Sequence, residues 1–84
     1  MKAKHRKILL SIFTKPTLAG IIFDDLASLV TALGGQVREG EGSRVAFEIN
    51  GKNLYLHRPH PGKEAKRYQV EELRALLTSE GIRP

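Results

Sequence analysis

The sequence contains no cysteine and no tryptophan, and it has only one methionine among 84 residues. Without cysteine there is no disulfide scaffold and no thiolate zinc site, a composition that accords with a reducing compartment. Long apolar runs are missing as well. The stretch Ile8-Leu9-Leu10-Ser11-Ile12-Phe13 follows a basic start, but it is too short for a secretion signal and lacks a small-residue cleavage site. Nothing approaches the ~20 apolar residues that a membrane-crossing helix needs. The expectation is a soluble, cytoplasmic protein with no membrane role. Phosphate loops of the Gly-Lys-Ser or Gly-Lys-Thr kind are absent, and so is any Ser/His/Asp ordering. His57 and His60 are close in sequence, but His5 is remote and no acid stands beside them at a ligand spacing. Neither a metal nor another cofactor is therefore expected.

Acid is the scarcer charge. Fourteen Lys and Arg oppose nine Asp and Glu, for a net charge of +5, and the excess is unevenly placed. Residues 2 to 7 hold four cations and His5 with no acid, while residues 57 to 67 hold Arg58, Lys63, Lys66 and Arg67 with His57, His60 and only Glu64. The acids gather at Asp24-Asp25, Glu39, Glu41 and Glu71-Glu72. A segregated basic surface attracts polyanions, of which nucleic acid is the commonest. A solvated basic face kept for solubility accounts for the charge equally well.

The length allows one small domain, residues 1-84, which buries only about 60% of its unfolded surface. Residues 3 to 13 read as a short helix with His5, Ile8, Leu9 and Ile12 along one side, broken at Thr14-Lys15-Pro16-Thr17. Leu26, Leu29, Val30 and Leu33 form one helical stripe, with Asp24 or Asp25 as the helix-start carboxylate and Gly34-Gly35 as the stop. From Gln36 the period changes to two. Val37 marks a first strand, Gly40-Glu41-Gly42-Ser43 a turn, and Val45, Phe47 and Ile49 the inward residues of a second strand. Asn50-Gly51 is a strong hairpin signal. Leu54 and Leu56 continue the alternation on a third strand, with Tyr55 and His57 on its other face, until Pro59 and Pro61 end it. Val70, Leu73, Leu76 and Leu77 make the stripe of a last helix that stops at Gly81. The expected fold class is α+β, with a double-stranded-RNA-binding-like α-β-β-β-α core in residues 22 to 82 and an N-terminal helical extension in residues 1 to 20.

The segment Leu56-His57-Arg58-Pro59-His60-Pro61-Gly62-Lys63-Glu64 concentrates the polar chemistry. Imidazoles change protonation near neutral pH, so two of them among cations can hold a phosphate or move a proton. His60, between two prolines, has a restricted backbone. The competing reading is a surface loop whose prolines merely end a strand. Lys63, Lys66 and Arg67 precede the final helix, where anions are favoured. Tyr55 and Tyr68 are either base-stacking or packing residues.

From Gly42 to Ile82 the chain resembles the HicA toxin family, small ribonucleases that cleave mRNA and are silenced by a HicB antitoxin. Leu26 to Gly34 matches the family's amphipathic helix, Gly42-Ser43 its Gly-Ser-His hairpin, His60 with Lys63 and Glu64 its loop, and Leu73 to Ile82 its last helix. The likeness spans residues 22 to 82. One departure matters: the family's catalytic histidine follows Gly-Ser, and here Arg44 follows Ser43. Arginine holds its proton at any working pH, so it can grip a phosphate but cannot act as a general base. Three readings stay open: cleavage with His57 or His60 taking the proton, binding of RNA without cleavage, or a toxin scaffold that has lost its activity with its histidine.

The resemblance implies an mRNA-binding toxin of a type II toxin–antitoxin system with an HicB-type antitoxin as partner. It further implies an endoribonuclease that works without a metal. His60 is the first choice for proton transfer, with His57 and Arg44 as the other catalytic candidates. Arg44, Arg58, Lys63, Lys66 and Arg67 are the expected nucleic-acid contacts. The rival is a non-catalytic RNA-binding or adaptor module, and charge alone also admits a DNA-binding accessory protein.

Overall fold

Helical and alternating periodicities divide the chain where the structure divides it. In the computed structural model, which describes all 84 residues, α1 (Ala3–Phe13) and α2 (Phe23–Ala32) precede the strands β1 (Gln36–Glu39), β2 (Arg44–Ile49) and β3 (Lys52–His57), and α3 (Arg67–Ser79) follows. The strands form one antiparallel meander in the order β1-β2-β3. Asn50 and Gly51 both take positive φ, 52° and 81°, as a two-residue hairpin turn requires. That turn fixes the ladder from Ile49↔Lys52 outward to Arg44↔His57.

Alternation then sends every second side chain inward. Val45, Phe47 and Ile49 of β2 and Leu56 of β3 are buried, together with Phe23, Leu26, Leu29 and Val30 of α2 and Val70, Leu73 and Leu77 of α3. Gly35 is needed where α2 hands over to β1, because a Cβ there would lie 2.4 Å from the Glu48 carbonyl oxygen. The result is the α+β layout expected, a double-stranded-RNA-binding-like core with α2 and α3 on one face of the sheet. No helix is long and apolar enough to cross a membrane.

The first helix shares this core. Ile8, Leu9 and Ile12 are buried in it, and the His5 ring meets Ser28 Oγ of α2 at 2.9 Å. The Arg74 guanidinium on α3 donates to the carbonyls of Ile12 at 2.7 Å and Thr14 at 3.2 Å. It thereby satisfies acceptors that a helix C-terminus otherwise leaves free.

Two boundaries differ from expectation. Neither Asp24 nor Asp25 caps α2: the cap residue is Ile22, without a side-chain bond, and both acids sit within the first turn. The reason is tertiary. Ile22 bridges Glu64, the Phe23 N–H donates to the Lys63 carbonyl at 2.9 Å, and the Ala65 N–H donates to Ile21 at 2.7 Å. Backbone of the basic loop thus does part of a side-chain cap's work. The last helix begins at Arg67, which therefore belongs to its first turn and not to the preceding loop.

Candidate active site

The sheet has one face covered by helices and one face open. By alternation, the open face carries Arg38 of β1, Arg44, Ala46 and Glu48 of β2, and Asn53, Tyr55 and His57 of β3. Over part of it lies a concavity of about 640 Å³ whose lining includes Arg38, Arg44, Ala46, Tyr55 and His57.

Arg44 and His57 are partners in the β2–β3 ladder, so their Cβ atoms lie about 5 Å apart on the same face. Both side chains are exposed, and Arg44 has no ion-pair partner. Two contacts fix the histidine. Its Nδ1 is 3.0 Å from Ser43 Oγ, the residue just before Arg44. Its carbonyl accepts a hydrogen bond of 2.8 Å from Gln69 Nε2. Gln69 is only 1% exposed, and its Oε1 accepts the Lys66 N–H at 3.0 Å. One buried amide therefore joins the end of β3 to the start of α3, bringing the backbone of Lys66 to the same corner as His57. Left unpaired, such a buried amide would cost about 1–3 kcal/mol; here both of its ends are used.

The other expected site residues fall elsewhere. Arg58, one step beyond His57, turns to the helix side of the sheet. There it pairs with Asp24 and, at 3.7 Å, with Glu39, and its guanidinium lies 5.2 Å from the Phe23 ring centroid. Arg58 is committed to contacts within the protein and is not one of the free cations. His60 is exposed in the loop and lies outside the concavity. Lys63, Lys66 and Arg67 are exposed without ion-pair partners. No group of three or more His, Asp or Glu side chains is arranged to hold a metal ion.

Gln69 was not singled out from the sequence, and Ser43 entered only through the Gly42-Ser43 match. A signal for Gln69 existed: it stands four residues before Leu73 and eight before Leu77, on the apolar stripe of α3, where a polar residue must find partners.

The arrangement places a permanently charged guanidinium and a titratable imidazole on either side of a space open to solvent. When Nδ1–H donates to Ser43 Oγ, Nε2 keeps its lone pair and can accept a proton.

Comparison with known proteins bears on this geometry. The family described as "HicA toxin of bacterial toxin-antitoxin" matches the chain over residues 23–78. No curated protein and no solved structure matches it.

Proposed function

The chain belongs to the HicA family of bacterial toxin–antitoxin toxins, and on that premise we propose that it is an endoribonuclease acting on mRNA through Arg44 and His57. The observation that carries this reading is their pairing across the ladder. The imidazole that the family places after Gly-Ser is absent at Arg44, but one stands directly opposite, on β3. Exchange of the two roles across a ladder step leaves the imidazole and a phosphate facing each other from the other side.

In this reaction the ribose 2′-oxygen attacks the adjacent phosphorus, and the bond from phosphorus to the 5′-oxygen breaks. His57 Nε2 takes the 2′-hydroxyl proton, and an equivalent proton reaches the departing 5′-oxygen through solvent. The products are a 2′,3′-cyclic phosphate and a 5′-hydroxyl, with no net change in protons. Arg44 stabilises the extra negative charge on the pentacoordinate phosphorus. Ser43 meets the imidazole and Gln69 holds the His57 backbone, while Lys63, Lys66 and Arg67 attract the neighbouring phosphates. The site of action is the cytoplasm, where an HicB-type antitoxin protein would restrain the toxin.

The second reading, binding of RNA without cleavage, draws on Arg44 itself, which cannot take a proton. A labelled single-stranded RNA incubated with purified protein separates the two. Cleavage to cyclic phosphate is expected, with a 10²–10⁴-fold slower rate in His57→Ala, an unchanged melting temperature, and near-parental activity in His60→Ala. The opposite ranking of the two histidine variants would move proton transfer to the loop. An intact RNA after long incubation with the parent would favour binding alone.

A further inference from the structure

The proton chemistry leaves one aromatic of the concavity unused. Tyr55 is 74% exposed, although it sits on a strand whose neighbours Leu54 and Leu56 turn toward the helices. An aromatic ring held in water on a rigid strand forgoes the burial that normally stabilises it. Its surroundings are specific. In the ladder, Arg38, Ala46 and Tyr55 form one row across the three strands, with the smallest side chain in the middle. β1 and β3 lie about 9.5 Å apart across β2, two strand spacings, so Ala46 leaves an open floor beside the Tyr55 ring, and the Arg38 side chain reaches across β2 along its edge.

Arg38 is not a free cation. Its Nη1 donates to Glu48 Oε1 at 2.6 Å and its Nη2 to Asn53 Oδ1 at 2.7 Å. With its charge answered and its plane held from two sides, the guanidinium suits stacking on a flat ring better than capture of a phosphate. Arg44, by contrast, is unpaired. Tyr55 and His57 point from the same face two residues apart, about 6.7 Å along the strand. A planar wall therefore adjoins the phosphate-gripping pair.

We propose that Arg38, Ala46 and Tyr55 form a nucleobase subsite for the nucleotide next to the phosphate held by Arg44 and His57. This rests on the reading of that pair as a phosphate site. The ligand is the unpaired base of a single strand, because a base within a duplex offers no free ring face. Stacking tolerates any base, so the subsite contributes affinity and register more than sequence choice.

The test uses a short 2′-O-methyl oligonucleotide, which cannot be cleaved for want of the 2′-hydroxyl, and an abasic oligomer with the same number of phosphates. Parent protein should bind the base-bearing strand more tightly than the abasic one. Tyr55→Ala should weaken the first by about fivefold to a hundredfold, the effect of one stacked base, and leave the second unchanged. Tyr55→Phe, which keeps the ring, should behave as the parent. Equal losses on both strands would make Tyr55 a structural residue and overturn the proposal. No loss on either strand would also overturn it and leave the exposed ring to a protein partner. The parent's cleavage of the corresponding ribonucleotide strand is scored separately. A Tyr55 effect without any cleavage would sustain the subsite and sink the nuclease, and cleavage without a Tyr55 effect would do the reverse.

Discussion

At the turn end of the β2–β3 hairpin, Lys52 pairs at 2.7 Å with Glu80, the residue that follows α3, and Asn50 donates to the same carboxylate at 3.1 Å. At the other end of the same ladder, Arg44 faces His57 with no acid to answer it. Both ends are fastened at α3, one through the ion pair at its C-terminal end and the other through the buried Gln69. The difference separates framework from site. At the turn end an acid meets the cation, whereas at the proposed site Arg44 is fixed by its backbone and left unmatched.

The strongest way to break this comparison is to exchange the unmatched pair. His57→Arg alone leaves two guanidiniums and no base, and cleavage should fall about 10²–10⁴-fold. Combining it with Arg44→His returns the imidazole to the β2 side and should recover activity to within about tenfold of the parent, read on the same RNA substrate. A double variant as inactive as His57→Arg would show that the ladder pair is not the working unit.

A smaller effect is expected at the buried amide. Gln69→Ala strands the His57 carbonyl and the Lys66 N–H, at a cost of about 1–3 kcal/mol, which thermal melting would register as a drop of several degrees for a domain of this size. Turnover at saturating RNA should fall as well, since His57 loses its anchor, while the affinity for an uncleavable strand changes less. A lowered melting temperature with full turnover would confine Gln69 to the fold.

The smallest effect belongs to the turn end, and it depends on pH. Hydrogen bonds from Lys52 and Asn50 hold the Glu80 carboxyl below its ordinary value of 4.5. A carboxylate favoured in the folded state contributes stability above that ordinary value and loses it as pH falls through the lowered one. Glu80→Gln should therefore flatten the acid limb of a stability-against-pH curve below 4.5 and leave RNA cleavage at neutral pH untouched. An unchanged acid limb would show that the pairing carries no stability.

Much of the fold could be read from the residues because the signals were local. The Leu26-Leu29-Val30 stripe, the alternation from Val45 to Ile49 and the Asn50-Gly51 turn each specify an element without outside help. The start of α2 could not be read this way, since the Phe23 N–H is met by the carbonyl of Lys63, distant in sequence. The surroundings of Arg58 escaped the sequence for a related reason. Its place in a basic run suggested phosphate, but the alternation of β3 turns it toward Asp24 and Phe23. The Arg44–His57 pairing was within reach of the sequence: counting outward from a two-residue turn at Asn50-Gly51 sets residue 44 against residue 57. The pairing depends on register, whereas His60 stood out by its place between Pro59 and Pro61 and by its match to the family's loop.

Gln69 also carries a consequence for the life of the protein in the cell. A ribosome adds roughly 5–20 residues per second, so β3 leaves it before α3 does. The carbonyl of His57 gains its donor only when the first turn of α3 has formed against the sheet. A nascent chain that has made the whole hairpin can already hold the His57 ring through Ser43 but still lacks the donor for the His57 carbonyl. The far end of the hairpin is therefore fastened to α3 only once that helix has been synthesised and docked, the last of the elements to appear.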